Sequence, residues 1–531
     1  MDTANFTFAQ TLVAVFGSFL VGGIGLAIGL KILPIAKKRR RFSKTERNGK
    51  PETAAAKENL TSTGGRLFPT EVLGLEGNVV RYRDGSFAKA YRFEPANTLY
   101  DDERLTERRV EELKTLLKFE KPEKTIIQFR FVNKPDDGRT LKNHLRSRND
   151  EQSDSLASLL QATNLAVYEE AITSGEIKTQ TATVWIRVPT RHLNDKSIFS
   201  RFFPSLLREI NAGGFFSLLI KPVVTGKNAL AQEYLSREIA AEKFCREKAI
   251  RVFQAFEANF PKELRLAELS AQEIFDEMCL SHRREHTEPP RLPRQRRIDI
   301  RRYLTSATID CAGETNYVRH NGALAALVSL KTLPQGFVTA DTMRYLTATR
   351  NLRFPHEIIV DLTTVEKTKA KKDLQKRIDR IDGSRNTWLG FRQLKKDAVV
   401  IKGDLENLLE QVESDNEEIC QIRLNVIVYG GKPHGKTELL EAVSTLNDRS
   451  DECIASIRKR TGADAIREDA ARQRAIYPRM LAGELSYRKT GQELAETADS
   501  VIAFVPTETN WRGSPRPHSI FTTPTGAMFG L

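Results

Sequence analysis

Gly430, Gly435, Lys436 and Thr437 stand at the spacing G-x-x-x-x-G-K-T, inside the stretch "VIVYGGKPHGKTELL" (426–440). Residues of these types at this spacing cradle a triphosphate. Backbone N–H groups and a helix N-terminus surround the phosphates, the lysine reaches their outer oxygens, and the threonine hydroxyl holds magnesium. A second group with chemical potential is Cys279, His282 and His286, at i, i+3 and i+7. That spacing puts three metal-ligating side chains near one helical face, but no fourth ligand is evident and Arg283 and Arg284 crowd the group with positive charge.

The elements around the glycines argue against the triphosphate reading. Pro433 removes one backbone donor from mid-loop and fixes its φ. The preceding run alternates, with Ile422, Leu424, Val426 and Val428 on one side and Arg423, Asn425, Ile427 and Tyr429 on the other. This predicts a half-exposed strand rather than one buried on both faces, as the first strand of a nucleotide-binding sheet is. Only 94 residues follow Thr437, fewer than the roughly 100–200 of a typical domain. No apolar strand ending in an acid follows either; the nearest lookalike, "EIIVDL" with Asp361, lies upstream.

The chain has 531 residues, 40% hydrophobic and 29% charged, with a net charge of +14. These values exclude a disordered chain and favour contact with acidic surfaces, whether lipid headgroups or nucleic acid. Five scattered cysteines without a C-x-x-C pattern fit reduced thiols.

Residues 12–30, "LVAVFGSFLVGGIGLAIGL", carry no charge and have the length to cross a bilayer. Lys37, Lys38, Arg39, Arg40 and Arg41 follow, so the positive-inside rule sets the N-terminus outside and the bulk in the cytoplasm. Basic residues after the apolar run, not before it, make a retained anchor the expectation rather than a cleaved signal. Ser18, Gly22, Gly25 and Gly29 line one side of this helix, a surface on which another span packs closely.

Residues 37–66 read as a basic tether. "GNVVRYRDGSFAKAYRFEP" (77–95) predicts a hairpin around Asp84-Gly85. Strands and helices then alternate, and 229–282 is helical in pattern. "RREHTEPPRLPRQRRIDIRR" (283–302) reads as an exposed basic connection, with nucleic-acid contact possible but indirect. A second run of strands and helices extends to a helix closed by Gly462. The expected fold is α+β: one N-terminal transmembrane helix, then two mixed α/β subdomains leaning to a ferredoxin-like packing, and no complete phosphate-loop NTPase domain. The expected boundaries are 1–9 (non-cytoplasmic), 10–36 (span), 37–66 (tether), 67–335 and 336–499 (subdomains) and 500–531 (a lead-in segment).

Three segments resemble one family. The hairpin "VVRYRDGSFAKAYRFEP", the element "RLNVIVYGGKPHGKTELLEAVSTL" with its Glu438-Leu439 pair, and the ending 500–531 are similar to the N-terminal half of the ATPases that energise conjugative type IV secretion, the TraC/TrbE type. In the ending, the matching features are Val501–Pro506, Trp511-Arg512-Gly513, Thr523-Pro524-Thr525-Gly526 and Phe529-Gly530. The resemblance implies that the Gly430–Thr437 stretch is a turn between a strand and a helix that binds no nucleotide. It implies no counterpart here for the family's phosphate loop, magnesium acid or arginine finger, so no catalytic residue, cofactor or metal is assigned. The expected function is that of an oligomeric scaffold in the bacterial inner membrane, docking on secretion-channel proteins and on an ATPase motor half. Two alternatives stay open: a nucleotide-binding protein that uses Gly430–Thr437 with ATP and magnesium, and a membrane-tethered DNA-binding protein.

Overall fold

The computed structural model describes residues 70–97, 103–136, 156–189, 243–304, 309–310, 316–333, 343–347, 352–365, 371–379, 402–410, 419–509, 520–522 and 528–530, with short gaps inside several of these ranges. The strands that build the core are β1 (Val72–Glu76), β2 (Val79–Tyr82), β3 (Phe87–Phe93), β4 (Ile126–Pro135), β5 (Lys178–Val188), β6 (Val318–His320), β7 (Ala323–Thr332), β8 (His356–Thr364), β9 (Ile419–Tyr429), β10 (Asp464–Arg467) and β11 (Leu494–Thr497). Together with three two-residue strands they form one sheet of 14 strands among the described residues. The order through its middle is β1-β2-β3-β5-β4-β8-β9-β7, and every pairing in it is antiparallel.

This corrects the expectation of two ferredoxin-like subdomains. The two α+β runs meet where β4 pairs with β8 over eight residues, from His356↔Asn133 to Thr363↔Ile126. That ladder satisfies edges that two separate sheets would each have exposed. All described residues belong to one compact unit, Gly64–Leu531.

The expected span over 10–36, with Ser18, Gly22, Gly25 and Gly29, lies outside the described residues, as do Lys37, Lys38, Arg39, Arg40 and Arg41. Among the described residues no helix is long and apolar enough to cross a membrane. The longest of them, Lys436–Thr461, has 26 residues and reaches about 39 Å, but charged side chains recur along its whole length. The reading as a single-pass inner-membrane protein is corrected on this finding.

Local sequence accounts for the elements. In the β2–β3 hairpin, Asp84 Oδ1 accepts from Ser86 N (3.0 Å) and Gly85 takes φ +82°. The 229–282 helical pattern is broken near Pro261. Residues 245–259 are helical, and a new helix, Ala271–Arg283, starts at a reciprocal cap between Ser270 and Glu273. Gly462, at φ +70°, ends the helix Lys436–Thr461.

The sheet has two unlike faces. On one, Phe129 and Phe131 of β4, Val184 and Ile186 of β5, Ile358 and Val360 of β8, and Leu424 and Val426 of β9 form a continuous apolar surface. Leu113, Leu116 and Leu117 of the helix Glu103–Lys118, Phe253 and Phe256, and Leu446, Cys453 and Ile457 cover it. On the other face, Trp185, Tyr82 and Ala88 make one apolar patch and Ile359, Ile427 and Leu327 a second. Charged and amide side chains fill the space between those patches.

Candidate functional site

Strand β9 leads to the glycine-rich stretch, and its setting is unlike that of a phosphate loop. Its three sheet neighbours among the described residues, β7, β8 and β11, are all antiparallel to it, whereas a phosphate loop leaves a parallel sheet buried by crossover helices. Gly430 and Gly431 prolong the ladder instead: Gly430 N donates to Leu324 O (2.8 Å) and Leu324 N donates to Gly431 O (3.0 Å). Gly435 is the extended residue before the helix, and Lys436 and Thr437 occupy its first, exposed turn. The anionic position at that helix start is taken by Glu438, whose Oε2 accepts from His434 N at 2.8 Å. The stretch is therefore a strand-to-helix connection. Sequence reasoning erred over β9 itself, which is buried on both faces.

Of the four side chains on the expected water-facing side of β9, Ile427 and Tyr429 join an apolar patch and Arg423 and Asn425 belong to a buried polar belt. Asp361 sits directly across from Gln128 on β4 and from Arg423 on β9. It accepts from Gln128 Nε2 at 2.8 Å through Oδ1 and from Arg423 Nε at 2.8 Å through Oδ2. One step along the sheet, Glu357 accepts from Arg130 Nη2 (2.6 Å) and from Arg284 Nη2 (3.2 Å). Asn425 is opposite Ser329 and accepts its hydroxyl at 2.8 Å. Arg130 is 1% exposed and Glu357 5%. Charges buried this far must be paired and hydrogen-bonded to be tolerated.

Residues 477–485 lie across the belt and join the two apolar patches. Tyr477, Met480 and Leu481 pack in the patch over β7, β8 and β9, and Ala482 and Leu485 in the patch over β2, β3 and β5. Their backbone is held by the belt and its rim. Arg130 Nη1 donates to Met480 O (2.6 Å), Tyr82 Oη to Gly483 O (2.6 Å), His282 Nε2 to Ala482 O (3.1 Å) and Arg187 Nη1 to Leu485 O. Glu484 accepts from Glu71 N (3.1 Å) and from the Thr70 hydroxyl, and burial pushes its carboxyl up to about 7.

Two buried histidines, His282 and His320, border this segment and a third, His356, lies on the other face of the sheet; each donates a ring N–H to a backbone carbonyl. His282 bonds to Ala482; His320 Nε2 bonds to His282 O (2.6 Å) while its Nδ1 accepts from Tyr477 Oη (2.9 Å); His356 Nδ1 bonds to Phe354 O (2.9 Å). Desolvation pulls His282 and His356 down to about 4 and His320 to about 3. They are neutral at physiological pH and poorly poised for proton transfer. The sequence-predicted trio is not brought together as a metal site: Cys279 is buried in the apolar patch, with its thiol pushed up to about 11 by burial, His282 is spent on Ala482, and His286 lies outside the described residues. Among the described residues no group of acids, histidines and cysteines could hold a metal.

A cavity of about 110 Å³ opens at one end of the belt, beside Asp361, Arg423, Tyr487, Arg488 and Glu493. Two of its lining carboxylates are engaged: Glu493 accepts from Thr490 N (2.7 Å) and Gly491 N (3.0 Å), and Asp361 serves the belt. The arrangement thus fixes the 477–485 segment and the junction of β4 with β8. Its partners were visible in the sequence only as single charged residues inside apolar runs: Arg130 in "IIQFRFV", Glu357 and Asp361 in "HEIIVDL", and Arg423 in "CQIRLNVIVY".

The 500–531 ending is built into the same body in its first part. Thr497 caps the short helix Ala498–Ile502, Val501 and Phe504 join the main core, and Glu508–Thr509 pairs in parallel with Ala96–Asn97. Ile520–Thr522 and Met528–Gly530 form a small antiparallel pair, and the Trp511–Gly513 and Thr523–Gly526 motifs lie outside the described residues. No family model and no curated protein matches the chain.

Proposed function

We propose that this protein is the docking part of a conjugative DNA-transfer ATPase. It binds secretion-channel components and a motor half, and it works by surface complementarity rather than by hydrolysing ATP. The family assignment rests on the resemblance of the 79–95 hairpin, the 423–446 element and the 500–531 ending. The single structural observation that favours docking over nucleotide chemistry is the geometry of Gly430–Thr437. Its antiparallel strand neighbours and the Glu438 carboxylate at the helix start put a negative group where a phosphate would have to sit.

The test uses the full chain. Titration with a fluorescent ATP analogue is expected to give no saturable magnesium-dependent signal, and the chain is expected to co-elute with a separately purified motor domain of such an ATPase on size-exclusion chromatography. ATP turnover that disappears on Lys436→Ala would overturn the reading.

A further inference from the structure

Two rungs of the sheet line the cavity of about 110 Å³ at the end of the belt. In the first, Asp361 of β8 is opposite Arg423 of β9; in the second, two residues further along, Thr363 is opposite Gln421. Residues two apart on a strand share a face, so all four side chains stand on the belt side. Arg423 is 6% exposed. Its Nε donates to Asp361 Oδ2 at 2.8 Å and its Nη2 to the same oxygen, but its Nη1 makes no hydrogen bond among the described residues. Glu493 Oε1 stands 3.8 Å from that Nη1, beyond hydrogen-bond reach. The half-buried side chains of Gln421 and Thr363 make no hydrogen bond among the described residues either.

The acids of the cavity are placed differently. Glu493 accepts from Thr490 N (2.7 Å), from the Thr490 hydroxyl (3.1 Å) and from Gly491 N (3.0 Å), which fills three of the about four acceptor sites of a carboxylate. Burial acts to raise its carboxyl, but these bonds and the Arg423 charge outweigh burial and hold it below the ordinary value, so it is ionised at neutral pH. Glu123 is exposed beside the same cavity and has no hydrogen bond or ion pair among the described residues.

A buried guanidinium with unused N–H groups and a carboxylate with an unused lone pair therefore face one cavity, 3.8 Å apart. Buried polar groups left without partners in this way need an occupant that satisfies them. The lining side chains comprise three acids and three bases, so a neutral molecule carrying both charges complements them better than a simple anion or cation. The volume corresponds to about four waters at liquid density, room for about five to seven non-hydrogen atoms.

We infer that this cavity binds a small free α-amino acid as its zwitterion. The ligand carboxylate accepts from Arg423 Nη1 and from the Gln421 amide, both charge-assisted bonds. The ammonium, one carbon away, donates to Glu493 and Glu123. The Thr363 hydroxyl and the short distance to the opposite wall admit glycine, alanine or serine and exclude longer side chains. The site does not rest on the proposed docking function.

The test is equilibrium dialysis of the full chain against radiolabelled alanine, with unlabelled competitors. Propionate carries the carboxylate alone, ethylamine the ammonium alone, inorganic phosphate is a plain anion, and leucine overfills the cavity. Alanine is expected to bind saturably, with a Kd of about 1 mM or tighter. Propionate and ethylamine should each compete about tenfold more weakly or worse, because each lacks one charged group with its hydrogen bonds; phosphate and leucine should do no better. Gln421→Trp should fill the cavity and abolish binding. Arg423→Lys keeps a cation beside Asp361 but lacks the second arm of the guanidinium, and should weaken binding about tenfold. If Arg423→Lys unfolds, the half-buried Gln421→Trp carries the same test. Absence of saturable binding at about 1 mM or tighter, any of the four competitors matching alanine, or indifference of a folded variant would each overturn the inference.

Discussion

Replacing Glu357 by alanine removes the one carboxylate shared by Arg130 and Arg284 (2.6 and 3.2 Å). Arg284 is partly exposed, its side chain keeping 17% of its accessible area, and it stacks 3.2 Å over the Tyr429 ring. It therefore recovers part of its solvation and keeps one favourable contact. Arg130 cannot, because it is 1% exposed, and its remaining bonds are to Met480 O (2.6 Å) and a long one to Gln128 Oε1 (3.4 Å). Breaking a buried pair from one side costs about 3–5 kcal/mol. Glu277 partly compensates. Burial is the main cause that raises its carboxyl, Arg130 opposes it and Glu357 adds a small further rise, so removing Glu357 lets Glu277 ionise somewhat more readily beside the stranded guanidinium. The expected loss is therefore near the lower end, about 3 kcal/mol, read as a shift of the urea midpoint with an unchanged m-value. The double variant Glu357→Leu with Arg130→Met removes both charges and should recover to within about 1 kcal/mol of the parent. A loss below about 1 kcal/mol for Glu357→Ala alone, an ordinary surface value, would refute the idea that the belt is held by compensated burial.

Gly483→Ala should cost about 2–4 kcal/mol in a thermal melt, since Gly483 is at φ +80° and a Cβ would come within 2.5 Å of Met278 Cε in a full core; an unchanged melting point would contradict the described packing. Acidification should destabilise the fold. His282, His320 and His356 stay neutral in the folded chain down to about 4, 3 and 4, while the unfolded chain takes up their protons from about 6.5. The stability they confer is therefore present above pH 6.5 and lost as the pH falls toward 4, at roughly 2 kcal/mol each by pH 5. Glu484 works in the opposite sense: with its folded carboxyl near 7 against about 4.3 unfolded, it returns roughly 3 kcal/mol over the same window. Urea unfolding at pH 7.5 and pH 5 should thus differ by about 3 kcal/mol, and His282→Gln, which can still donate to Ala482 O, should widen nothing and remove about 2 kcal/mol of the slope; a flat profile would show these histidines to be solvated.

The local grammar of the chain was legible. Alternation gave the β2–β3 hairpin, the faces of β9 were assigned to the correct sides, and the helix ending at Gly462 was marked by its glycine. Partners were not legible. The junction that turns two α+β runs into one sheet pairs Phe131 with Ile358, and nothing within either strand names the other across that separation. The same blindness produced the error over β9. The alternation alone places Arg423 and Asn425 in solvent, because a polar side chain at alternate positions usually means water, whereas each meets a complementary group on a neighbouring strand, Asp361 and Ser329. A charge inside an apolar strand has two readings, exposed or paired, and only the neighbouring strand separates them.

The covering of the charge belt by residues 477–485 sets an order of events during synthesis. Met480, whose carbonyl receives Arg130, is made 350 residues after it. At ribosomal speeds of about 5–20 residues per second, that delay is roughly 20–70 s. The belt is complete only once Arg423 has been made, so in the last part of that interval the nascent sheet shows water a band of guanidinium and carboxylate groups instead of a bare hydrocarbon surface. The belt that is costly to bury in the finished protein is thus a hydrated surface until residues 477–485 are made to cover it.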